Sequence, residues 1–311
     1  MNKLERFLRD KSFRIEVLAK RGFFRNMSDE DFITMRYNSY FSEPLDLNDP
    51  KTLNQKLQWL KLYDRNPRYP SLVDKYEAKA VVGSIIGQDH IIPTYGVWDK
   101  VDDIDVSSLP DRFVIKTTHD CGTSIVCRDK SRFDIEKYRP MLEKSLSGTY
   151  FTIGREWPYR DLKPRIIAEE YRVDDSTVPE EKQELSDFKF YCFDGYADCV
   201  MICFDRASGD TKFYFFNDRW ELLRINRRGK AAPPDFTLPR PACLDQMFAI
   251  ARKLSEGIPF VRVDLYQSDN QVLFGEMTFY PQSGWDPNYL PEADQYFGNL
   301  IDLSKAYGAE K

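Results

Sequence analysis

Histidine is almost missing from this 311-residue chain, which contains only His90 and His119. The six cysteines (Cys121, Cys127, Cys192, Cys199, Cys203 and Cys243) include no CxxC pair. With so few ligands at metal-binding spacing, neither a zinc cage nor a disulfide framework is indicated. Cys192, Cys199 and Cys203 lie in apolar runs and read as reduced, buried small hydrophobes. No stretch approaches the roughly 18 consecutive apolar residues needed to span a bilayer. The opening segment MNKLERFLRDKSFRIEVLAKRG is charged throughout and lacks the apolar centre of a signal peptide, so a cytoplasmic location is expected. Long blocks of one charge are also absent, and a net charge of −5 speaks against general nucleic-acid binding.

What is present is a large supply of core material. The chain is 42% hydrophobic and 14% aromatic, enough for one large domain or two to three smaller ones. The first third reads as helical. Ser28 followed by Asp31 resembles a capping box, and Asp49 before Pro50 reads as an N-cap ahead of a helix carrying Leu53, Leu57 and Leu60 on one face. A further helix is expected from about Leu72 past Lys79 to Ile86. Leu4, Phe7, Leu8 and Phe13 recur at near-helical spacing, which suits a first helix packed on the body or peripheral contact with a membrane or partner.

From His90 the texture becomes β-rich. Strands are expected at Phe113 to Lys116, Ser124 to Cys127, Arg165 to Ala168, Phe188 to Phe193, Asp198 to Phe204, Lys212 to Phe216, Phe260 to Tyr266 and Val272 to Glu276. Helices are expected at Ile135 to Lys144 and at Leu244 to Leu254. Arg172 to Glu184 and Arg228 to Pro241 read as loops. Hairpin-paired strands with few crossover helices indicate an α+β fold with largely antiparallel sheets.

Four segments carry candidate chemistry. FVIKTTHDCGTSIVC (113–127) reads strand, loop, strand, which excludes a P-loop leading into a helix. Its lysine-ended strand and small-residue loop with Gly122 either fold over a polyphosphate or form an ordinary hairpin with an exposed lysine. His119 in that loop is a candidate for catalytic assistance or for a loop-ordering hydrogen bond. VRVDLYQSDNQVLFGEMTF (261–279) reads as a hairpin with Asp264 and Glu276 among apolar neighbours, Arg262 on the face of Asp264 and Thr278 on that of Glu276. That pattern suits Mg²⁺ and phosphates, or else a solvent-facing ion-pair ladder. In KPRIIAEEYRVDD (163–175), alternation turns one of Glu169 and Glu170 inward at a strand end. SDFKFYCFDGYADCVMICFDR places Lys189 and Arg206 on apolar strands joined around Asp194-Gly195. Tyr280 to Trp285 lines a sugar or amine site, or packs on the core.

The order of these pieces resembles the ATP-grasp superfamily, and KLQWLKLYDRNPRYPSLVDKYEAK, FVIKTTHDCGTS, DFKFYCFDG and VRVDLY…FGEMTFYPQSG resemble more narrowly the TupA-like ATP-grasp proteins of polysaccharide biosynthesis, over about residues 50 to 285. The resemblance implies an ATP-grasp fold divided into a helical region 1–73, a lead-in subdomain 74–110, a lid subdomain 111–168 and a core subdomain 169–311. It implies that Lys75 and Lys116 contact ATP phosphates under a loop formed by Thr117, Thr118, His119, Asp120, Cys121, Gly122, Thr123 and Ser124. Glu169, Glu170 and Tyr171 would hold adenine and ribose, and Lys189, Arg206 and Arg262 would form the catalytic set. Asp264 and Glu276, with Thr278 where many relatives carry Asn, would hold one or two Mg²⁺ ions. Lys79 stands where an arginine is expected.

The implied activity is an ATP-dependent carboxylate–amine ligase that makes an acyl phosphate and then an amide. The implied partners are ATP, a uronic-acid sugar or glycan precursor of a capsule or cell wall, and an amino acid or other amine, with peripheral contact to a membrane-bound biosynthesis complex. Two rivals are a glycosyltransferase, which would favour a doubly wound α/β core, and a sugar phosphotransferase, for which no HRD-like loop is found.

Overall fold

Capping side chains decide where the N-terminal helices begin. Ser28 Oγ accepts the Asp31 amide at 3.1 Å and opens a helix, as its spacing predicts. Asp49 and Pro50 do not open the next one. Thr52 does, in a capping box with Gln55: Thr52 Oγ1 accepts the Gln55 amide, and Gln55 Oε1 accepts the Thr52 amide at 3.2 Å. The helix expected from Leu72 to Ile86 is two helices, because Asp74 Oδ1 caps the second by accepting the amides of Tyr76 and Glu77, both at 2.9 Å.

The computed structural model describes residues 2–174, 185–204 and 211–308. In chain order its helices are α1 Lys3–Arg9, α2 Lys11–Lys20, α3 Asp29–Tyr40, α4 Leu53–Tyr63, α5 Tyr69–Val73, α6 Glu77–Ile86, α7 Arg139–Leu146, α8 Phe151–Gly154, α9 Arg227–Ala231, α10 Leu244–Ser255 and α11 Pro291–Leu300. The strands are β1 Thr94–Trp98, β2 Phe113–Thr117, β3 Ser124–Cys127, β4 Ile166–Glu170, β5 Asp187–Phe193, β6 Tyr196–Phe204, β7 Lys212–Phe216, β8 Leu222–Leu223, β9 Val261–Ser268 and β10 Gln271–Thr278. Each strand expected from sequence is present within a few residues. The expected helix from Ile135 begins instead as a 3-10 turn, Ile135–Lys137, before α7, whose first turn accommodates Pro140. Within the expected loop 228–241, Asn226 caps the short α9 through the Gly229 amide at 2.8 Å.

Two antiparallel sheets result, as the alternating patterns predict. The smaller has the order β1-β4-β2-β3 and the larger β10-β9-β5-β6-β7-β8. The main core lies between the larger sheet and α4, α5, α6, α10 and α11. Leu244, Met247, Phe248, Ala251 and Leu254 of α10 all bury their side chains there, each contributing roughly 1.5–3 kcal/mol for a large side chain. α7 covers the smaller sheet through Leu142. α2 and α3 join a third cluster around Phe32, Tyr37 and Trp285. α1 has no buried residue and exposes Leu4 and Leu8. Among the described residues, no helix is long and apolar enough to cross a membrane.

Candidate active site

In β2, alternation sends Phe113, Ile115 and Thr117 into the buried layer and leaves Val114 and Lys116 on the opposite face. Glu169 lies opposite Val114 in the neighbouring β4 and shares that face. Its buried carboxylate is held by two ammonium groups, Lys79 at 2.5 Å and Lys116 at 2.6 Å. Burial alone would raise this carboxyl, but the charges of Lys116 and Lys79 outweigh it and keep the group below its ordinary value. Burial pushes the Lys79 ammonium down, against the pull of Glu169. Lys79 also donates to the Ile92 carbonyl at 2.6 Å and to Thr94 Oγ1 at 2.9 Å, so its position is fixed from three sides.

The loop between β2 and β3 is organised around Asp120. Its carboxylate accepts from Thr117 Oγ1 at 2.6 Å, Thr123 Oγ1 at 2.5 Å and Ser145 Oγ at 2.6 Å. Burial opposes the charge, yet these hydroxyls hold the Asp120 pKa below the usual carboxylate value. His119 is buried and bonds through Nε2 to the Ser145 carbonyl at 3.0 Å, the loop-ordering role. The Thr118 amide donates to the Arg165 carbonyl at 2.9 Å, and its carbonyl accepts the Lys75 amide at 3.0 Å. Lys75 Nζ donates to the Asp120 carbonyl, tying the α5–α6 turn to the loop. At the tip, Cys121 and Gly122 are exposed, and Gly122 takes φ +99°, where a Cβ would be strained although nothing lies within 4 Å.

The larger sheet contributes two rows of side chains. Lys189, Asp264 and Glu276 stand in register across β5, β9 and β10, and Tyr191, Arg262 and Thr278 form the next row. A β-bulge at Gly275 makes this arrangement. Phe274 pairs with Leu265 but Glu276 pairs with Asp264, so the extra residue turns Glu276 onto the Asp264 face instead of the Phe274 face. A Cβ at position 275 would lie 2.9 Å from the Asp264 carbonyl oxygen and 2.9 Å from the Tyr266 ring. Arg262 forks onto Asp264 at 2.6 and 2.7 Å and reaches Glu276 at 3.3 Å and Thr278 Oγ1 at 3.0 Å. Lys189 contacts both Asp264 and Asp187. Burial would lower Lys189, but Asp264 keeps it above the ordinary lysine value. Glu276 is pushed up by burial and pulled further down by Lys75, Arg262 and Lys189, so it is held ionised.

This layout suits binding and neutralising an oxyanion-rich ligand. A match to the family described as TupA-like ATPgrasp covers residues 55–302. The chain belongs to that family. No curated protein matches it. Among solved structures, a D-alanine–D-alanine ligase from Bacillus anthracis complexed with ATP is 13% identical, with 96% of this chain and 92% of that one covered at a TM-score of 0.45. A D-alanine–D-alanine ligase from Helicobacter pylori is 12% identical over 80% of this chain and 69% of that one, with a TM-score of 0.42. The ATP-grasp ligase PsnB complexed with a minimal precursor is 9% identical over 81% and 67%, with a TM-score of 0.40.

Within this ATP-grasp chain the expected site residues fall into three groups. Lys75, Lys116 and the 117–124 loop meet through the contacts above, and Lys189, Arg262, Asp264, Glu276 and Thr278 form one face of the larger sheet. Glu169, Glu170 and Tyr171 diverge: Glu169 points to Lys79 and Lys116, whereas Glu170 pairs with Arg172 at 2.6 Å and its amide donates to the Pro93 carbonyl at 3.0 Å. Arg206 lies outside the described residues. Asp187, which touches Lys189, carries no signal in the sequence, whereas Lys79 carries one in its spacing of four from Lys75.

The donors also bear on the expected Mg²⁺. Among the described residues, no group of three or more His, Cys, Asp or Glu side chains could hold a metal. Asp264 and Glu276 nevertheless form an adjacent pair of hard oxygen donors; Arg262 and Lys189 bond both oxygens of Asp264, and the Glu276 side chain is 38% exposed. Mg²⁺ is commonly held by one or two carboxylates plus substrate phosphates, and this pair fits that half-site.

Proposed function

We propose that this ATP-grasp protein is an ATP-dependent carboxylate–amine ligase. The observation that supports the reading best is the Lys189–Asp264–Glu276 row with Arg262 beside it, near the lysines gathered by Glu169 and Asp120. Phosphoryl transfer through a loose transition state asks mainly for positioning and charge neutralisation, which such a constellation supplies. In this reading Lys75, Lys79 and Lys116 bind the phosphates of ATP. The loop from Thr117 to Ser124 covers them, and the β4 exit at Glu169 to Tyr171 receives the nucleoside. Asp264 and Glu276, with Thr278 alongside, would hold one or two Mg²⁺ ions, which neutralise phosphate charge.

Lys189 and Arg262, with Arg206 assigned by family resemblance, orient the acceptor carboxylate and stabilise the transferred phosphoryl group. A carboxylate oxygen bonds to the γ-phosphorus as the bond to the β–γ bridging oxygen breaks, which releases ADP. The amine nitrogen then bonds to the acyl carbon, the acyl–oxygen bond breaks, inorganic phosphate leaves, and the nitrogen gives up a proton. The loop keeps water from the acyl phosphate. In the finer reading, segment 111–168 acts as the lid on a core at 169–311, the carboxylate belongs to a uronic acid of a polysaccharide precursor, and the amine is an amino acid.

The test incubates the purified chain with ATP, Mg²⁺, uronic acids and pooled amino acids and follows ADP, phosphate and new masses together. The expected product has the summed mass of sugar and amino acid less one water, with one ADP and one phosphate per amide. A sugar-nucleotide product formed with no ATP consumed would sink the ligase reading. The antiparallel arrangement of both sheets already disfavours the doubly wound glycosyltransferase rival.

A further inference from the structure

A cleft of about 780 Å³ opens on the side of the 117–124 loop toward the N-terminal helices, lined by residues of α2, α3 and α7, by Cys121 and Thr123 of the loop, and by Gln282 to Asn288 after β10. Arg36 of α3 lines it. Arg36 is only 3% exposed and sits over the rings of Trp285 at 4.6 Å and Tyr40 at 5.4 Å. Its hydrogen bonds are long: 3.4 Å to the Ser12 carbonyl and 3.3 Å to the Tyr40 hydroxyl. Its Nε has no partner, and none of the ion pairs among the described residues includes it. The carboxylate that acts on it, Glu16, is taken by Lys20 at 2.6 Å. Burying an unpaired cation is costly, so such a group persists where something outside the chain compensates it. Two further donors or acceptors lining the same cleft are buried and unpartnered: Trp285 Nε1 and His119 Nδ1. Buried polar atoms without partners, carried by three residues that line one cavity, call for a polar partner there.

We propose that this cleft is the site of the non-nucleotide substrate, and that Arg36, held by Tyr40 and Trp285, anchors an anionic oxygen group of it, a carboxylate or a phosphate. The identity of the occupant as a substrate rests on the ligase reading; the anion site itself does not. Tyr40 and Trp285 stack at 6.2 Å with planes 3° apart, and the Trp285 ring holds the Arg36 guanidinium at 4.6 Å and the Lys61 ammonium at 4.0 Å, so the aromatic pair fixes the cation's position. Arg36 lies on α3, outside the family-matched span of 55–302.

Tryptophan fluorescence of the full chain, titrated with D-glucuronate, glucose 6-phosphate and D-glucose, tests the site without turnover, and Trp285→Phe identifies the reporting indole. At least one anion is expected to bind, with D-glucose much weaker, and the stronger anion distinguishes carboxylate from phosphate. Arg36→Met should weaken anion binding at least about tenfold, the usual consequence of losing a charged hydrogen-bonding group. It should melt at or above the wild-type temperature, because it removes a buried charge that no ion pair holds and keeps a side chain of similar length. Arg36→Lys, which keeps the charge, should retain part of the affinity. The inference is overturned if neither anion binds the wild type, if D-glucose binds as tightly as the anions, if both variants bind like wild type, or if Arg36→Met melts well below it. Anion binding through Arg36 with no ATP consumption would remove the ligase reading and leave the site; ATP-dependent amide formation unchanged in Arg36→Met would do the reverse.

Discussion

Replacing Glu169 with Gln removes the one charge that holds Lys79 and Lys116 together while keeping the side chain's shape. Glu169 is 4% exposed, and its partners stand at 2.5 and 2.6 Å. Removing one partner from a buried ion pair costs roughly 3–5 kcal/mol, and the low end applies here because Lys79 keeps its bonds to Ile92 and Thr94 and Lys116 can turn toward solvent. The two lysine side chains already keep 12% and 22% of their exposure. The pH dependence follows from the direction of the Glu169 pKa, which is held below its ordinary value of 4.5 in the folded chain. The unfolded state therefore takes up the proton first. The stabilisation is fully present above the unfolded value and is lost as pH falls through the lower, folded one. Urea unfolding of wild type and Glu169→Gln between pH 7.5 and 3.5 should show a gap that is wide at neutral pH and closes in acid, with unchanged m values. ATP should still bind the variant, because both lysines keep their charge. A gap independent of pH, or one under about 1 kcal/mol at pH 7.5, would refute the ion-pair account.

Three further outcomes are expected. Gly275→Ala forces a Cβ to within 2.9 Å of the Asp264 carbonyl and the Tyr266 ring; it should cost roughly 1–3 kcal/mol in thermal unfolding and lower ADP release far more than that loss of folded protein explains. Asp120→Ala strips the acceptor from three hydroxyls and should loosen the 117–124 loop, read as faster proteolysis near Cys121, a higher KM for ATP and a stability loss of roughly 1–3 kcal/mol. Glu276→Gln and Lys116→Ala should each fold, by circular dichroism, yet lose roughly 10²-fold or more in substrate-dependent ADP release, as removal of one electrostatic contact commonly does; full activity in either variant excludes that residue from the site.

Local physics made much of the fold legible. Period-two runs located the strands, and the apolar face of Leu244 to Leu254 became the buried face of α10. Helix starts were less legible because several caps compete: Thr52 prevails over Asp49 through its reciprocal bond with Gln55. The break at Asp74 depends on distant chain, since the following amide of Lys75 is claimed by the Thr118 carbonyl.

By itself the sequence determined which charges sit inside apolar strands: Lys116, Glu169, Lys189, Asp264 and Glu276 were identifiable because their neighbours are hydrophobic. It could not determine which of them meet. Alternation alone would put Glu276 on the face of Phe274, and only the bulge at Gly275, formed when β10 pairs with β9, turns it beside Asp264. Arg36 had no signal at all, because an arginine in a helical stretch reads as solvated. It is the packing of α3 onto Trp285, some 250 positions later in the chain, that buries it without an ion pair among the described residues, a cost the sequence does not display and the tertiary structure imposes.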